Sequence, residues 1–370
     1  MESEIIINIV KVFLPSIVAF IIGILFTPFW TNFLYKNKMW KKKSGKTAGL
    51  GDDNGTPIFN SLHKDKEVNT PRLGGVVIWF SVLATVFVFW LLALIFDNDL
   101  LNKLAFFSRS QTWIPLVCLL VGALVGFVDD WFEIEGASTY AAGGLSLKKR
   151  LLFVGSVGLL VACWFYFRLG ISSIGLPFLP DLNLSWLFIP FFVAVMLFIY
   201  SSGVIDGLDG LAGGIFATIF GGYALVAFFQ GQIDLAAFCA TILGGLMAFL
   251  WFNIPPARFY MTETGTMALT ITLTVVAFMT DVLSTKADPS GRGGYGVLAL
   301  LIIAAPLIIT SISDIIQVLS KKFLHRKVFL VAPIHHHFEA IGWSREKVVM
   351  RYWVMAIIFC VIGVVFALIG

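Results

Sequence analysis

Long apolar segments set the class of fold that this chain can adopt. A helix that crosses a bilayer needs about 20 mostly apolar residues, and hydropathy predicts ten such segments along the 370 residues. In order they are Ile5–Tyr35, Leu73–Phe96, Trp113–Val128, Leu151–Leu169, Trp186–Tyr200, Leu211–Phe229, Leu235–Phe252, Gly265–Leu283, Val297–Leu319 and Val348–Ile369. We therefore predict an all-α integral membrane protein of about ten transmembrane helices, forming a single polytopic membrane domain over residues 1–370.

Composition excludes a soluble enzyme with a large core. Mean hydropathy is +0.91, and 13% of the residues are charged, as is typical of integral membrane proteins. The longest predicted loop, residues 36–72, is too short to form an independent core. No separate soluble domain is expected.

Lysine and arginine are distributed unevenly between the two sets of alternating loops. The basic set consists of residues 36–72, 129–150, 201–210, 253–264 and 320–347. With the adjacent Arg351 it carries 20 of the 26 basic residues, whereas the opposite set carries four. By the positive-inside rule the basic loops are cytoplasmic, so both termini are extracytoplasmic. The net charge of +4 is therefore attributed to sidedness, and no nucleic-acid partner is expected.

Four polar clusters fall in the predicted cytoplasmic loops or at their edges. They are Asp129-Asp130, the segment 206–210 (Asp-Gly-Leu-Asp-Gly), Asn253 with the segment 261–266 (Met-Thr-Glu-Thr-Gly-Thr), and the segment 332–339 (Ala-Pro-Ile-His-His-His-Phe-Glu). None lies near a predicted bilayer midplane. An active site on the cytoplasmic face suits a reaction between a water-soluble substrate and a lipid headgroup.

The acidic clusters have a chemical and a plain interpretation. Adjacent carboxylates such as Asp129 and Asp130 repel each other unless a cation compensates. Asp206 and Asp209 would share a face if they lay on a helical turn. Glu263, among threonines, offers hard oxygen ligands that suit Mg²⁺. The plain alternatives are a helix leaving the membrane, a glycine-rich turn and a threonine-capped helix start.

The histidine run and the neighbouring lysines complete the pattern. Three of the five histidines are adjacent, at 335–337, with Glu339 two residues further on. Near a membrane surface such a cluster is held by water, a metal or an anion such as phosphate, although a solvated loop would look the same. Lys64, Lys66 and Lys148 could be snorkelling anchors, or cations at a Mg²⁺-diphosphate site.

At the level of motifs, the chain resembles the phospho-N-acetylmuramoyl-pentapeptide-transferases of the polyprenyl-phosphate N-acetylhexosamine-1-phosphate transferase superfamily. The matching motifs cover nearly the whole sequence. They are Thr-Pro-x-x-Gly-Gly at 70–75, Asp129-Asp130, Gly-Leu-Ser-x-Lys at 144–148, Asp-Gly-Leu-Asp-Gly-Leu at 206–211, Trp-Phe-Asn at 251–253, the segment 261–266, Ile-Gln-Val at 316–318, the segment 332–339 and Gly-Trp at 342–343. The aspartate motifs are shared across the superfamily, and the segment 332–339 is specific to the muramoyl-pentapeptide branch.

The resemblance implies transfer of phospho-MurNAc-pentapeptide from UDP-MurNAc-pentapeptide to undecaprenyl phosphate, giving lipid I and UMP in peptidoglycan synthesis. It implies Mg²⁺ as cofactor and a multi-pass location in the bacterial inner (cytoplasmic) membrane, in contact with membrane lipid. A homodimer is implied by the resemblance alone. Whether an aspartate forms a phospho-enzyme or the lipid phosphate attacks directly stays open.

The resemblance also assigns roles by motif. The implied catalytic residues are Asp129, Asp130, Asp206, His335 and His336. The implied substrate-binding residues are Lys64, Lys66, Lys148, Gly207, Asp209, Asn253, Tyr260 and His337. Which of Lys64 and Lys66 contacts the phosphate stays open. Glu263 is the implied Mg²⁺ ligand.

Several positions depart from the family pattern. The family usually has Met-Gly-Asp-x-Gly-Ser at 261–266, so that Glu263 replaces an aspartate. Tyr200 and Gly203 replace two asparagines. Arg72 and Leu73 replace Thr and Met, and Thr310 replaces Glu. We expect a divergent active enzyme, with a degraded or substrate-shifted paralogue as the alternative.

Other functional classes predict different features. A sister transferase using UDP-GlcNAc or a related sugar nucleotide would share the aspartate motifs but lack the three-histidine segment. A membrane transporter would place ionisable residues near the midplane on broken helices. An intramembrane metalloprotease would need His-Glu-x-x-His on a helix, which residues 335–339 do not supply.

Overall fold

The computed structural model describes residues 2–41, 69–96, 98–136, 144–287 and 294–369. Within these ranges nine helices are long and apolar enough to cross a membrane, or ten spans if one bent pair counts as a single span. The prediction of an all-α membrane protein with about ten transmembrane helices is therefore confirmed.

The elements follow one another as long helices joined by short connections. In chain order they are α1 (Glu2–Lys36), α2 (Val76–Ile95), α3 (Asp99–Leu104), α4 (Trp113–Glu135), α5 (Leu147–Cys163), β1 (Ser173–Ile174), β2 (Leu182–Asn183), α6 (Phe188–Ser201), α7 (Leu211–Phe229), α8 (Ile233–Asn253), α9 (Thr262–Ala287), α10 (Gly296–Ile303), α11 (Ala305–Leu324), α12 (Ile334–Ala340) and α13 (Arg345–Ile369). A π-helical turn, Trp164–Arg168, extends α5. Strands β1 and β2 form an antiparallel pair with Ser173 opposite Asn183, which the sequence analysis did not predict.

Helix α9 lies at the centre of the bundle. In its apolar window 94% of the residues are buried, compared with 22% for α1, so α9 is enclosed by protein and α1 lies largely exposed on the outside of the bundle. Threonine hydroxyls in the interior of the helix donate to carbonyls one turn earlier, as Thr270 does to Thr266 and Thr272 to Ala268, each at 2.7 Å. A helix with buried hydroxyls therefore has its polar groups satisfied in an apolar bundle.

Two glycines bring α4 close against α9. A Cβ atom on Gly122 would lie 2.8 Å from the Cα of Ala268, and one on Gly126 would collide with the carbonyl oxygen of Glu263. Only glycine leaves room for this backbone approach. The contact sets the last two turns of α4 beside the first turn of α9.

One end of the bundle gathers the acidic motifs, and we call it the acidic end. There the segment before α2 pairs with the segment before α9: Tyr260 N donates to Pro71 O at 2.9 Å and Gly74 N donates to Tyr260 O at 2.8 Å. The ends of α4 and α8 and the starts of α5, α7 and α9 meet at this level. The motifs are thus held by main-chain hydrogen bonds as well as by helix packing.

A buried aspartate ties the opposite end together. Asp281 accepts hydrogen bonds from Gly175 N at 2.7 Å and Val297 N at 2.9 Å, which joins α9 to the hairpin and to α10. Lys11 and Asp234 form an ion pair of 2.5 Å between α1 and α8. These contacts fix helix ends far from the acidic motifs.

Two predicted spans are corrected by the structure. The segment Val297–Leu319 is not one straight helix, because α10 and α11 meet at a 72° bend. Pro306 lies in the first turn of α11, where a residue without an N–H group begins a helix more readily than it continues one. The segment predicted to end at Val128 continues to Glu135, so Asp129 and Asp130 lie within α4.

Candidate active site

Two adjacent aspartates of α4 are fully buried at the acidic end. Asp130 Oδ2 accepts hydrogen bonds from the N–H of Thr264 at 2.8 Å and from the hydroxyls of Thr262 and Thr264, each at 2.5 Å. Asp129 Oδ1 accepts from Leu145 N at 2.6 Å. Helix α9 and the segment before α5 therefore satisfy one oxygen of each carboxylate.

Arg150 links Asp129 to Glu263. Its Nε lies 3.2 Å from Asp129 Oδ1 and its Nη1 donates to Glu263 Oε1 at 2.6 Å. Arg150 occupies the first turn of α5, and Glu263 the first turn of α9. The hydroxyl of Tyr200 lies 3.5 Å from Glu263 Oε2, so two of the positions that depart from the family pattern are neighbours.

Arg72 and Lys41 approach a third acid on α4. Arg72 Nη2 lies 2.6 Å from Glu133 Oε2 and 3.6 Å from Asp130 Oδ1. Lys41 Nζ lies 2.7 Å from Glu133 Oε1. We call Asp129, Asp130, Glu133 and Glu263 the carboxylate cluster.

Three members of the cluster fit a divalent cation. Among the described residues, Asp129, Asp130 and Glu133 form a group whose ligand oxygens lie within 4.8 Å of one another. Asp129 Oδ2 and Asp130 Oδ1 are buried and accept no hydrogen bond from the part of the chain that the structure describes. Buried carboxylate oxygens without a donor are suited to a hard cation such as Mg²⁺. The implied ligand Glu263 faces this group across Arg150.

Thr262 connects the carboxylate cluster to Asp206. Its N–H donates to Asp206 Oδ2 at 2.7 Å, and its hydroxyl donates to Asp130 Oδ2. Burial raises the pKa of Asp206 to about 6, although the hydrogen bond from Thr262 favours the ionised form. Asp206 therefore titrates closer to neutrality than an ordinary aspartate.

Two buried histidines of α12 converge on Gly207. A Cβ atom on Gly207 would lie 2.6 Å from His335 Nε2 and 2.7 Å from His336 Nε2. His336 Nδ1 lies 2.7 Å from Glu339 Oε2, and Arg345 Nε donates to Glu339 Oε1 at 3.0 Å. The carboxylate thus orients one imidazole, and a glycine at 207 is needed because any side chain there would collide with both rings.

The structure also places the other predicted site residues. Asp209 accepts from Ala257 N at 3.2 Å. Asp206 and Asp209 lie in a turn and not on a helix, so the condition for a shared helical face is not met. Asn253 is buried, and its side chain links two backbone segments: it accepts a hydrogen bond from Gly210 N at 2.9 Å and donates one to Phe259 O at 2.8 Å. Tyr260 lies in the paired segments already described.

Four of the predicted cations and histidines lie away from this centre or outside the described residues. Lys148 is exposed on the first turn of α5. His337 Nδ1 accepts from Leu330 N at 3.3 Å, away from the His335–His336 pair. Lys64 and Lys66 fall outside the residues that the structure describes.

Sequence reasoning missed three charged residues of the centre. Glu133 lies four residues after Asp129 and three after Asp130, so it shares their helical face; it was missed because the span was ended at Val128. Arg72 was noted only as a departure from the family pattern, and Arg150 was not singled out. The pairing of Arg72 and Arg150 with acidic residues depends on which helix faces meet in the folded protein, and a local sequence pattern does not predict which faces meet.

Comparisons with known proteins place the chain in a family. The profile of glycosyl transferase family 4 matches residues 112–281. A phospho-N-acetylmuramoyl-pentapeptide-transferase of Geobacillus sp. (strain WCH70) is 30% identical over 95% of this chain and 96% of its own length. One of Latilactobacillus sakei subsp. sakei (strain 23K) is 32% identical over 93% and 95%, and one of Anoxybacillus flavithermus is 30% identical over 94% of each.

The similarity extends over nearly the full length of these relatives, and it includes the segments that form the carboxylate cluster and the histidine pair. The chain belongs to the phospho-N-acetylmuramoyl-pentapeptide-transferase family.

Proposed function

We propose that this chain transfers phospho-MurNAc-pentapeptide from UDP-MurNAc-pentapeptide to undecaprenyl phosphate, producing lipid I and UMP. The observation that carries the proposal is the buried carboxylate cluster, with its two arginines, beside a histidine pair at one end of a membrane-type helical bundle. The family membership supplies the substrate class. Attack of one phosphate on another requires neutralised charge, and this end of the molecule concentrates the groups that could supply it.

We further propose that the acidic group of α4 holds Mg²⁺. Asp129, Asp130 and Glu133 would be its ligands, with Glu263 as an additional one. A divalent cation bound there would neutralise phosphate oxygens and polarise the phosphorus that is attacked. The buried oxygens of Asp129 and Asp130 that lack a hydrogen-bond donor support this assignment.

The side chains around the cation site would bind and orient the two phosphate-bearing substrates. Asp129 or Asp130 would orient the lipid phosphate or take its proton. Asp206 and the two histidines would face the diphosphate of the nucleotide, since Gly207 lets both imidazoles pack against the turn that follows Asp206. Lys148 and Asn253 stay predicted contacts of the nucleotide.

The charge distribution gives the orientation that we propose. Basic residues are concentrated in the loops at the acidic end, so this end would face the cytoplasm of a bacterial inner membrane, with both termini outside. A soluble UDP-linked substrate would then reach the site from water, and the lipid phosphate would reach it from the inner leaflet. A homodimer stays a prediction from the family.

The test is UMP release by purified protein in detergent with undecaprenyl phosphate and Mg²⁺. UDP-MurNAc-pentapeptide is supplied in one reaction and UDP-GlcNAc in another. Mg²⁺-dependent release with the muramoyl substrate alone supports the proposal. Release with UDP-GlcNAc alone would assign the chain to the sister reaction, and no release from folded protein would contradict transferase activity.

A further inference from the structure

Arg150 occupies the space between carboxylates that the proposed cation would bind. Its guanidinium contacts both Asp129 Oδ1, at 3.2 Å, and Glu263 Oε1, at 2.6 Å, and its Nε also donates to Leu145 O at 3.0 Å. The side chain is 17% exposed. Arg150 is therefore anchored in the middle of the carboxylate cluster.

The guanidinium of Arg150 reduces the net negative charge of the carboxylate cluster. Within the described residues the four acids of the cluster contact three cationic side chains, Lys41, Arg72 and Arg150. With every group ionised the formal charge is minus one, and without Arg150 it is minus two. One divalent cation would neutralise that remainder.

Geometry points the same way. An arginine stays charged at all ordinary pH values, so it cannot give way to a metal by losing a proton. A cation that recruits Glu263 through Oε1 has to displace Arg150 from its 2.6 Å contact with that oxygen. Tyr200, 3.5 Å from the other oxygen of Glu263, restricts how far that carboxylate can move.

We propose that Arg150 is a built-in competitor of the divalent cation. In the cation-free protein it bridges Asp129 and Glu263 and holds the first turns of α5 and α9 together. When the cation binds, the guanidinium leaves Glu263, and the carboxylate of Glu263 turns toward Asp129, Asp130 and Glu133 of α4. Arg150 is thus a positioning residue that lowers cation affinity and keeps the empty site ordered. This inference rests on the proposed cation site.

The experiment measures Mn²⁺ binding by electron paramagnetic resonance on the full-length protein in detergent, without substrate. Wild type is compared with Arg150→Gln and with Lys149→Gln, which removes a charge from an exposed neighbour. Arg150→Gln should bind Mn²⁺ at least about fivefold more tightly, since a unit charge within about 4 Å is worth that factor even in bulk water. Lys149→Gln should bind as wild type does.

A second readout separates competition from a merely structural role. In chelator, Arg150→Gln should melt below wild type, and saturating Mn²⁺ should raise its melting temperature by more than it raises that of wild type. If Arg150→Gln cannot be purified folded, Arg150→Lys, which keeps the charge with a single point of contact, should bind Mn²⁺ more tightly than wild type.

Two contrary results have different meanings. Equal or weaker Mn²⁺ binding by the Arg150 variants, with clear binding by wild type, would overturn the role of Arg150 and leave the cation site intact. Absence of Mn²⁺ binding in every variant would overturn the cation site and this inference together.

Discussion

Thr262 holds a backbone conformation that usually belongs to glycine. Its φ is +56°, in the left-handed region that costs a residue with a Cβ atom roughly 1–2 kcal/mol. The family usually has glycine there. In return the hydroxyl of Thr262 donates to buried Asp130, and hydrogen bonds to charged groups are worth about 1.5–3 kcal/mol. Threonine in place of glycine thus exchanges backbone freedom for a hydrogen bond to the carboxylate cluster.

A pair of variants separates these two effects. Thr262→Ala keeps the strain and loses the hydrogen bond, so it should lower the free energy of unfolding by about 2 kcal/mol. Thr262→Gly loses the hydrogen bond but relieves the strain, so it should be about 1 kcal/mol more stable than the alanine variant. Thermal unfolding in detergent gives the order, and an alanine variant as stable as the glycine variant would contradict the strain.

Glu263 is matched in length to Arg150. An aspartate there would be shorter by about 1.5 Å, which would shorten its reach both to Arg150 Nη1, now 2.6 Å away, and toward the acidic residues of α4. We expect Glu263→Asp to lower the rate of UMP release about tenfold, although aspartate is the usual family residue. Glu346→Asp, the same change on an exposed position, is the control. A rate above that of wild type would show that the site has not adapted to glutamate.

At the scale of elements, the close approach of α4 and α9 positions Asp129 and Asp130. An alanine at Gly126 would collide with the carbonyl oxygen of Glu263 and push the helices apart. Gly126→Ala should therefore lower the free energy of unfolding by about 1–3 kcal/mol and reduce activity. Gly155→Ala is a matched control, because its Cβ would lie 3.9 Å from Leu197 Cδ2. Equal effects of the two variants would contradict the packing account.

Sequence reasoning located helices better than it located their ends. The length of each apolar segment was sufficient to locate the spans, since a helix needs about 20 apolar residues to cross a bilayer. It could not show that α4 continues past Val128 through two aspartates, because hydropathy falls where a buried acid is paired by another helix. It also passed over the bend before Pro306, since apolar composition is continuous across the bend, from Val297 to Ile309.

The site was recovered in part, for a related reason. Asp129, Asp130, Asp206, His335 and His336 stand out because polar residues are rare in this chain, and the structure brings them to one end. Pairings across helices, such as Arg150 with Glu263 or Arg72 with Glu133, depend on three-dimensional packing. Lys148 was predicted from its motif position as a contact of the nucleotide, whereas Arg150, which reaches the carboxylates, was not singled out.

At the scale of the whole molecule, sidedness decides whether the site can meet a soluble nucleotide. The excess of lysine and arginine at the acidic end predicts that the chain terminus after residue 369 lies outside the cytoplasm. In a bacterial host, alkaline phosphatase fused there should be active and green fluorescent protein fused there should be dark. The reverse pattern would contradict the proposed orientation.

The central claim is that one buried centre at the acidic end performs the transfer. The most direct measurement is UMP release by wild type and by four variants that alter this centre: Asp130→Asn, Asp206→Asn, Glu263→Gln and His335→Ala. Each folded variant should lose at least about 100-fold of the wild-type rate, as expected for groups that stabilise developing charge. Wild-type rates in any two of the four would contradict the assignment of the site.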